Sequence, residues 1–455
     1  MTETEVLLEQ IRIACRELAM AQTTFGRLAV NDGKLVNRLE QGGHVTLRTV
    51  ERVHAFIAAQ GKTSVSTLRA AIPGLSPEMA PEHNFRFYDN RQKYLMFVST
   101  SSEKQIIADM AIAEVGNTRP RPPALRLFDG GTGDGTALAR VLRGLHWQYQ
   151  SLPFYIVAKE ISMENVRLAL EKMADRFQEH PATVLVITNM KYAEAPWLRP
   201  NSEQAANIMV RKDVVLRGST AGDFDQQIAE LMPFLRQHWQ ASISPSSGNP
   251  VYQKPAVLVL YREDQRFLIE QMLPRPGAAR ADFDLVLLSQ PYRSRASLDF
   301  KAGVVVAPLV QALAPHGRLL GIHSHGNDPG LEIIRAIWPD ENPFETGRSA
   351  LMGAVKSRLR HRARDYRFHA LPDSRALFRY SLHALPSENS ADGEPGTSTL
   401  FGAWNAATYV AQIEDRRLAT AMTSDHYLDV TREILRRHNG LWFNDERYII
   451  SRQGD

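Results

Sequence analysis

The ten residues Leu127-Phe-Asp-Gly-Gly-Thr-Gly-Asp-Gly-Thr136 constrain this chain more than any others. Apolar residues from Ala124 to Phe128 read as a buried strand, the glycines interrupt it, and Thr136 to Leu145 carries apolar residues at helical spacing. In such a strand, turn and helix, the glycines let backbone approach a ligand and the first-turn amides point at it. Asp129, at the strand's end, can take a donor or a cation. The stretch is therefore expected to hold a nucleoside-like cofactor. A dinucleotide fingerprint G-x-G-x-x-G is not met, because after Gly131 and Gly133 the third position is Thr136, and the next glycine is Gly135. NAD is disfavoured.

Downstream, Phe154 to Ala158 is a second strand-like run, with Glu160 just past it. Together, Asp129-x-Gly131-x-Gly133-x-Gly135 and Glu160 resemble the first two motifs of class I S-adenosylmethionine-dependent methyltransferases. The resemblance covers roughly residues 85 to 330. It implies an α/β fold: a Rossmann-like methyltransferase sheet with helices on both faces, here preceded by a small all-α helical domain. It also implies S-adenosyl-L-methionine as cofactor, with the glycines beneath it, Asp129 near its methionine end and Glu160 on its ribose hydroxyls. A third strand, Thr183 to Thr188, is followed by Asn189 and Met190, where the family places a polar residue for the adenine amino group and an apolar one against the ring. Tyr88 and Tyr94 precede the helical stretch Ser102 to Val115 and are candidates for an aromatic lid over the cofactor; ordinary packing is the alternative.

The run Phe283 to Leu288 ends abruptly in Ser289-Gln290-Pro291-Tyr292, as expected of a parallel strand whose carboxyl end opens onto a site. It resembles the [Asn/Asp/Ser]-Pro-Pro-[Tyr/Phe] motif of amino-methylating enzymes, except that Gln290 replaces the first proline. On that likeness Ser289 positions an amine and Tyr292 is a stacking platform. A fifth strand follows over Leu313 to Ile322, ending in His323-Ser-His325 and Asp328. His323 is a candidate general base. His323, His325 and Asp328 also suggest metal ligation, but no third histidine or cysteine lies nearby and a loop or pocket role is preferred.

With 455 residues the chain exceeds one compact unit. Residues 1 to 60 read as helical, 61 to 83 as a linker, and 84 to 383 as the methyltransferase domain with an insertion near 200 to 281 that shapes the substrate side. Residues 384 to 399 read as a flexible linker or loop, and 400 to 455 as a segment completing or capping the catalytic domain. Within the first part, Thr24 to Gly42 resembles a phage-repressor helix-turn-helix, with Lys34, Asn37, Arg38 and Gln41 on its recognition helix. That implies DNA contact through residues 24 to 52. Seven basic and seven acidic residues over 1 to 60 make no basic footprint, so a docking module is the alternative.

The single cysteine, Cys15, excludes an internal disulfide and a cysteine-built metal site. Apolar stretches near Val304 to Leu313 are too short for a bilayer, and a cytoplasmic location is the default. Lys356 to Arg367 carries six lysines and arginines against one acid, and reads as a solvated face or an anion-binding surface. The methyl acceptor is left open as a small molecule, an amine included, and so is oligomeric state. Three alternatives stand beside the enzyme reading: a DNA-binding regulator that senses the cofactor, a nucleic-acid methyltransferase, and an aminopropyltransferase. The last needs an acid after the fourth strand, and Ser289 to Tyr292 has none.

Overall fold

A computed structural model describes residues 91–454 except 245–248, 276, 278, 280 and 384–394, and scattered residues among the first 56, chiefly 22–30 and 34–40. Tyr88, Gln41 and the connector 61–83 lie outside the described residues, as does most of the proposed loop 384–399. The chain divides into two units, Met1–Glu82 and His83–Asp455.

In the first unit, helices α1 (Gln22–Val30) and α2 (Leu35–Glu40) are joined by a short turn. Asp32 N donates to Gly26 O at 3.0 Å, and a side chain at Gly26 would place its Cβ 2.3 Å from Asp32 O. Phe25, Leu35 and Leu39 are buried together, with Phe25 edge-on to Phe56 at 5.2 Å. Lys34, Asn37 and Arg38 are exposed, but Arg38 is paired with Asp32 at 2.8 Å and so partly neutralised.

The second unit is built on a sheet of strands β1 (Leu125–Asp129), β2 (Phe154–Lys159), β3 (Thr183–Thr188), β4 (Val210–Leu216), β7 (Ala256–Arg262), β8 (Phe283–Ser289), β9 (Leu313–Ser324), β10 (Tyr366–Phe368), β11 (Leu377–Ser381) and β12 (Trp442–Arg452). A separate hairpin pairs β5 (Ala241–Ile243) with β6 (Pro250–Tyr252). The main order is β10-β12-β9-β8-β1-β2-β3-β7-β4, with β11 also on β12. Strands β3, β2, β1, β8 and β9 are mutually parallel, the doubly wound order in which the chain reverses direction across the sheet between β1 and β8. β12 enters antiparallel beside β9. This is a Rossmann-like methyltransferase sheet.

Its strands read as continuous apolar runs because both faces are covered. Leu127, Ile156, Leu185 and Leu285 pack on one face, against helices α4 (Glu103–Val115), α5 (Thr136–Gln148) and α6 (Met163–Glu171). Phe128, Val157, Val186 and Val286 pack on the other, with Val305, Val310 and helix α7 (Arg348–Leu359). A third cluster joins Phe97 of helix α3 (Arg91–Thr100) to Tyr380, Trp404 of helix α8 (Thr397–Val410) and Leu435 of helix α9 (His426–His438).

The insertion does more than border a substrate. It adds β7 antiparallel to β3, and β4 parallel to β7, to the main sheet. It also carries two short helices, Ala221–Ala229 and Met232–His238, because Pro233 has no N–H to continue the first and suits the opening turn of the second. Among the described residues no helix is long and apolar enough to cross a membrane, and no group of three or more His, Cys, Asp or Glu side chains is arranged to hold a metal ion.

Candidate active site

The glycine turn is pinned at both ends. Gly130 N donates to Leu287 O at 2.9 Å, tying the turn to β8. Gly133 and Gly135 have φ of 57° and 79°, a left-handed backbone that glycine adopts without strain. Glu160 bridges the two predicted motifs directly: Gly133 N donates to its Oε2 and Ser162 N to its Oε1, each at 2.8 Å. Tyr94 closes the turn from above, its hydroxyl donating to Asp134 Oδ1 at 3.0 Å and accepting from Asp134 N at 3.1 Å. A Cβ on Gly133 would lie 2.4 Å from that hydroxyl. Burial would raise the Asp134 carboxyl, but hydrogen bonding from Thr136 and the Lys172 ammonium at 3.2 Å outweigh it and hold it low.

A cleft of about 280 Å³ opens at the carboxyl ends of β1, β2 and β8. It is lined by Gly131, Gly133 and Glu160, by Ser289, Gln290, Pro291 and Tyr292, and by Tyr94, Phe97 and Tyr409. Ser289 Oγ is buried without a hydrogen-bond partner among the described residues, as a group awaiting a ligand would be. Gln290 takes φ 49°, and its amide donates to Ser324 Oγ and Asp445 Oδ2, each at 3.1 Å. Pro291 O accepts from Tyr192 Oη at 2.7 Å, so this carbonyl is already engaged by the protein.

Tyr292 reaches the cleft, whereas His323 does not. Tyr292 lines the cleft but is only 6% exposed, and its hydroxyl turns inward to His323 Nδ1 at 2.7 Å. His323 is not among the lining residues. Its Nε2 lies 2.8 Å from Glu446 Oε1, and Arg348 Nη1 donates to Glu446 Oε2 at 2.8 Å. Burial opposes the charge on Glu446, yet these hydrogen bonds hold its carboxyl down at about 2. Burial pushes the Tyr292 phenol well up. The tautomer that satisfies both neighbours has Nε2–H donating to Glu446 and Nδ1 accepting from Tyr292. His323 thus braces the wall of the cleft instead of reaching a substrate as a base.

Asn189 and Met190 are also displaced from their expected roles. Asn189 Nδ2 donates to Lys254 O at 2.9 Å and its Oδ1 accepts from Ala256 N at 2.8 Å, which spends the amide on joining β3 to the start of β7. Met190 is fully buried in the core. The loop residue that faces the cleft is Tyr192, with the Lys159 ammonium 4.6 Å from its ring centre. Gly135 faces α6, where a Cβ would meet Ala169 Cα at 2.7 Å. Asp129 is buried behind the turn, and burial pushes its carboxyl to about 7. The cleft also takes Glu103 and Lys104 from the start of α4 and Gln412 from beyond α8, none of which has a sequence signature. An acid opening a helix reads as dipole complementation, and only the fold turns it inward.

No protein-family profile matches the chain, and no curated protein matches it in sequence. Among solved structures it is similar to a geranyl diphosphate methyltransferase in complex with GPP and sinefungin, at 9% identity over 76% of this chain and 77% of that one, with a TM-score of 0.29. An rRNA methyltransferase from Streptomyces viridochromogenes matches at 13% identity over 54% and 77%, TM-score 0.18. An uncharacterised protein from Burkholderia thailandensis matches at 10% identity over 99% and 94%, TM-score 0.25. Likenesses this distant carry no inference about function, and the fold rests on the strand order.

Proposed function

We propose that the chain is an S-adenosylmethionine-dependent methyltransferase acting on a small molecule. One observation carries the reading: the Gly133–Glu160 bond joins the first two motifs in one cleft that Ser289 and Tyr292 also line. This is the crevice at the reversal of strand order where ligands of open α/β sheets bind.

The residues present fit the cofactor. Gly131 and Gly133 offer bare backbone to the cleft, and Glu160 keeps lone pairs beyond its two backbone bonds for ribose hydroxyls. Of the acids near the glycine turn, Glu160 is the one that lines the cleft, and its carboxylate suits a ligand bearing positive charge. When bound, the cofactor supplies an electrophilic methyl group on a sulfonium. The chain's part is to position and desolvate: Tyr94 caps the turn, Tyr409 helps to exclude water, and Ser289 Oγ is free to orient an acceptor atom. No covalent enzyme intermediate is required.

Calorimetric titration with S-adenosylmethionine tests the reading. Micromolar-scale binding is expected, weakened about tenfold or more in Glu160→Gln, which loses one acceptor oxygen and the charge. Absence of binding by folded wild-type protein would sink it.

A further inference from the structure

We propose that the part of the cleft walled by Phe97, Tyr380 and Tyr409 receives a cationic nitrogen, so that the acceptor is a small molecule bearing an ammonium group that serves as its binding handle. Calling it the acceptor rests on the methyltransferase reading; its charge rests on the cleft alone.

The three rings form a continuous wall, with Phe97 centred 5.3 Å from Tyr409 and 5.9 Å from Tyr380, and all three line the cavity. Aromatic faces attract cations through the ring quadrupole. Two carboxylates stand against this wall. Glu103 lines the cleft and is 2% exposed. Asp445 is fully buried one hydrogen bond behind Gln290 and Ser324, both of which line the cleft, and its Oδ1 has no partner among the described residues.

The electrostatics point the same way. Besides burial, Asp445, Glu103 and Asp328 each oppose ionisation of Tyr380, and Glu103, Asp134 and Glu160 do so for Tyr409. Lys104 pairs with Glu103 at 2.8 Å and offsets one of these charges. Burial pushes the Asp445 carboxyl well up, the response of an acid in low dielectric lacking a counter-ion. An ammonium in the cleft supplies the missing positive charge. An anionic ligand would hold Asp445 in its protonated form, and a neutral one would gain no charge attraction from either acid.

The test is calorimetric titration with choline and with 3,3-dimethyl-1-butanol, in which carbon replaces the charged nitrogen, both with and without saturating S-adenosylhomocysteine. Choline is expected to bind saturably and at least ~10-fold more tightly than its neutral isostere. Glu103→Gln should remove most of that preference, and Tyr380→Leu should weaken choline while each variant still binds S-adenosylhomocysteine. Equal affinity for the two probes, or no saturable choline binding by wild-type protein, overturns the ammonium assignment. Loss of S-adenosylhomocysteine binding with the choline preference intact would instead overturn the cofactor reading.

Discussion

Replacing Asp129 with Asn should stabilise the protein at alkaline pH. The side chain sits 3% exposed at the end of β1, where burial, and secondarily the nearby charge of Glu160, raise its carboxyl from 3.8 to about 7. The folded state therefore binds this proton more tightly than the unfolded chain. Its contribution is neutral below the unfolded value and becomes increasingly unfavourable as pH rises toward 7. Three pKa units correspond to roughly 4 kcal/mol in full, of which roughly 3 kcal/mol develops between pH 5 and pH 8. Asn cannot ionise and escapes this cost. Urea unfolding of wild type and Asp129→Asn at both pH values measures it. The stability difference, variant minus wild type, should grow by about 3 kcal/mol from pH 5 to pH 8. A difference that stays constant would show that Asp129 titrates normally in the fold and would refute the reasoning.

Three more outcomes follow from the geometry. Asn189→Ala removes the two side-chain hydrogen bonds of Asn189 to Lys254 and Ala256 and should destabilise by ~2–3 kcal/mol in denaturant titration, leaving cofactor affinity unchanged; a large loss of affinity would restore its expected adenine role. Gly135→Ala forces a side chain into φ 79° and against Ala169 Cα at 2.7 Å, and should lower unfolding free energy by ~3 kcal/mol. Glu446→Gln removes a carboxyl held at about 2 against its usual 4.5, so the stability it provides is present above about pH 4.5 and is lost as pH falls through 2. At pH 7 the variant should be less stable by about 3 kcal/mol, with the gap closing in acid unfolding below pH 3.

What could be read from residues alone was the buried centre of the sheet. Val184 to Ile187 and Leu285 to Leu288 are unbroken apolar runs because helices cover both of their faces. β4 was not legible: Val-Arg-Lys-Asp-Val-Val-Leu is a half-exposed edge strand with three charges in its middle, and only pairing with β7 makes it a strand. At the site, Gly133 and Glu160 were legible because a tight turn and an acid at a strand end have local signatures. Asn189 was misplaced because its amide serves a strand 67 residues further on, at Ala256. His323 was misplaced for the same reason: its partner Glu446 is 123 residues away.

The position of β12 has a consequence for how the protein is made. Asp445 and Glu446, which back the cleft, lie on a strand that pairs with β9 on one side and with β10 and β11 on the other. During synthesis the glycine turn and Glu160 can assemble early, but the wall behind Gln290 and Tyr292 cannot form until residue 452 has left the ribosome. Until then β9 presents an unpaired edge some twelve residues long, a surface on which nascent chains can pair with one another. Slow emergence of the last segment should therefore cost soluble yield before it costs anything else.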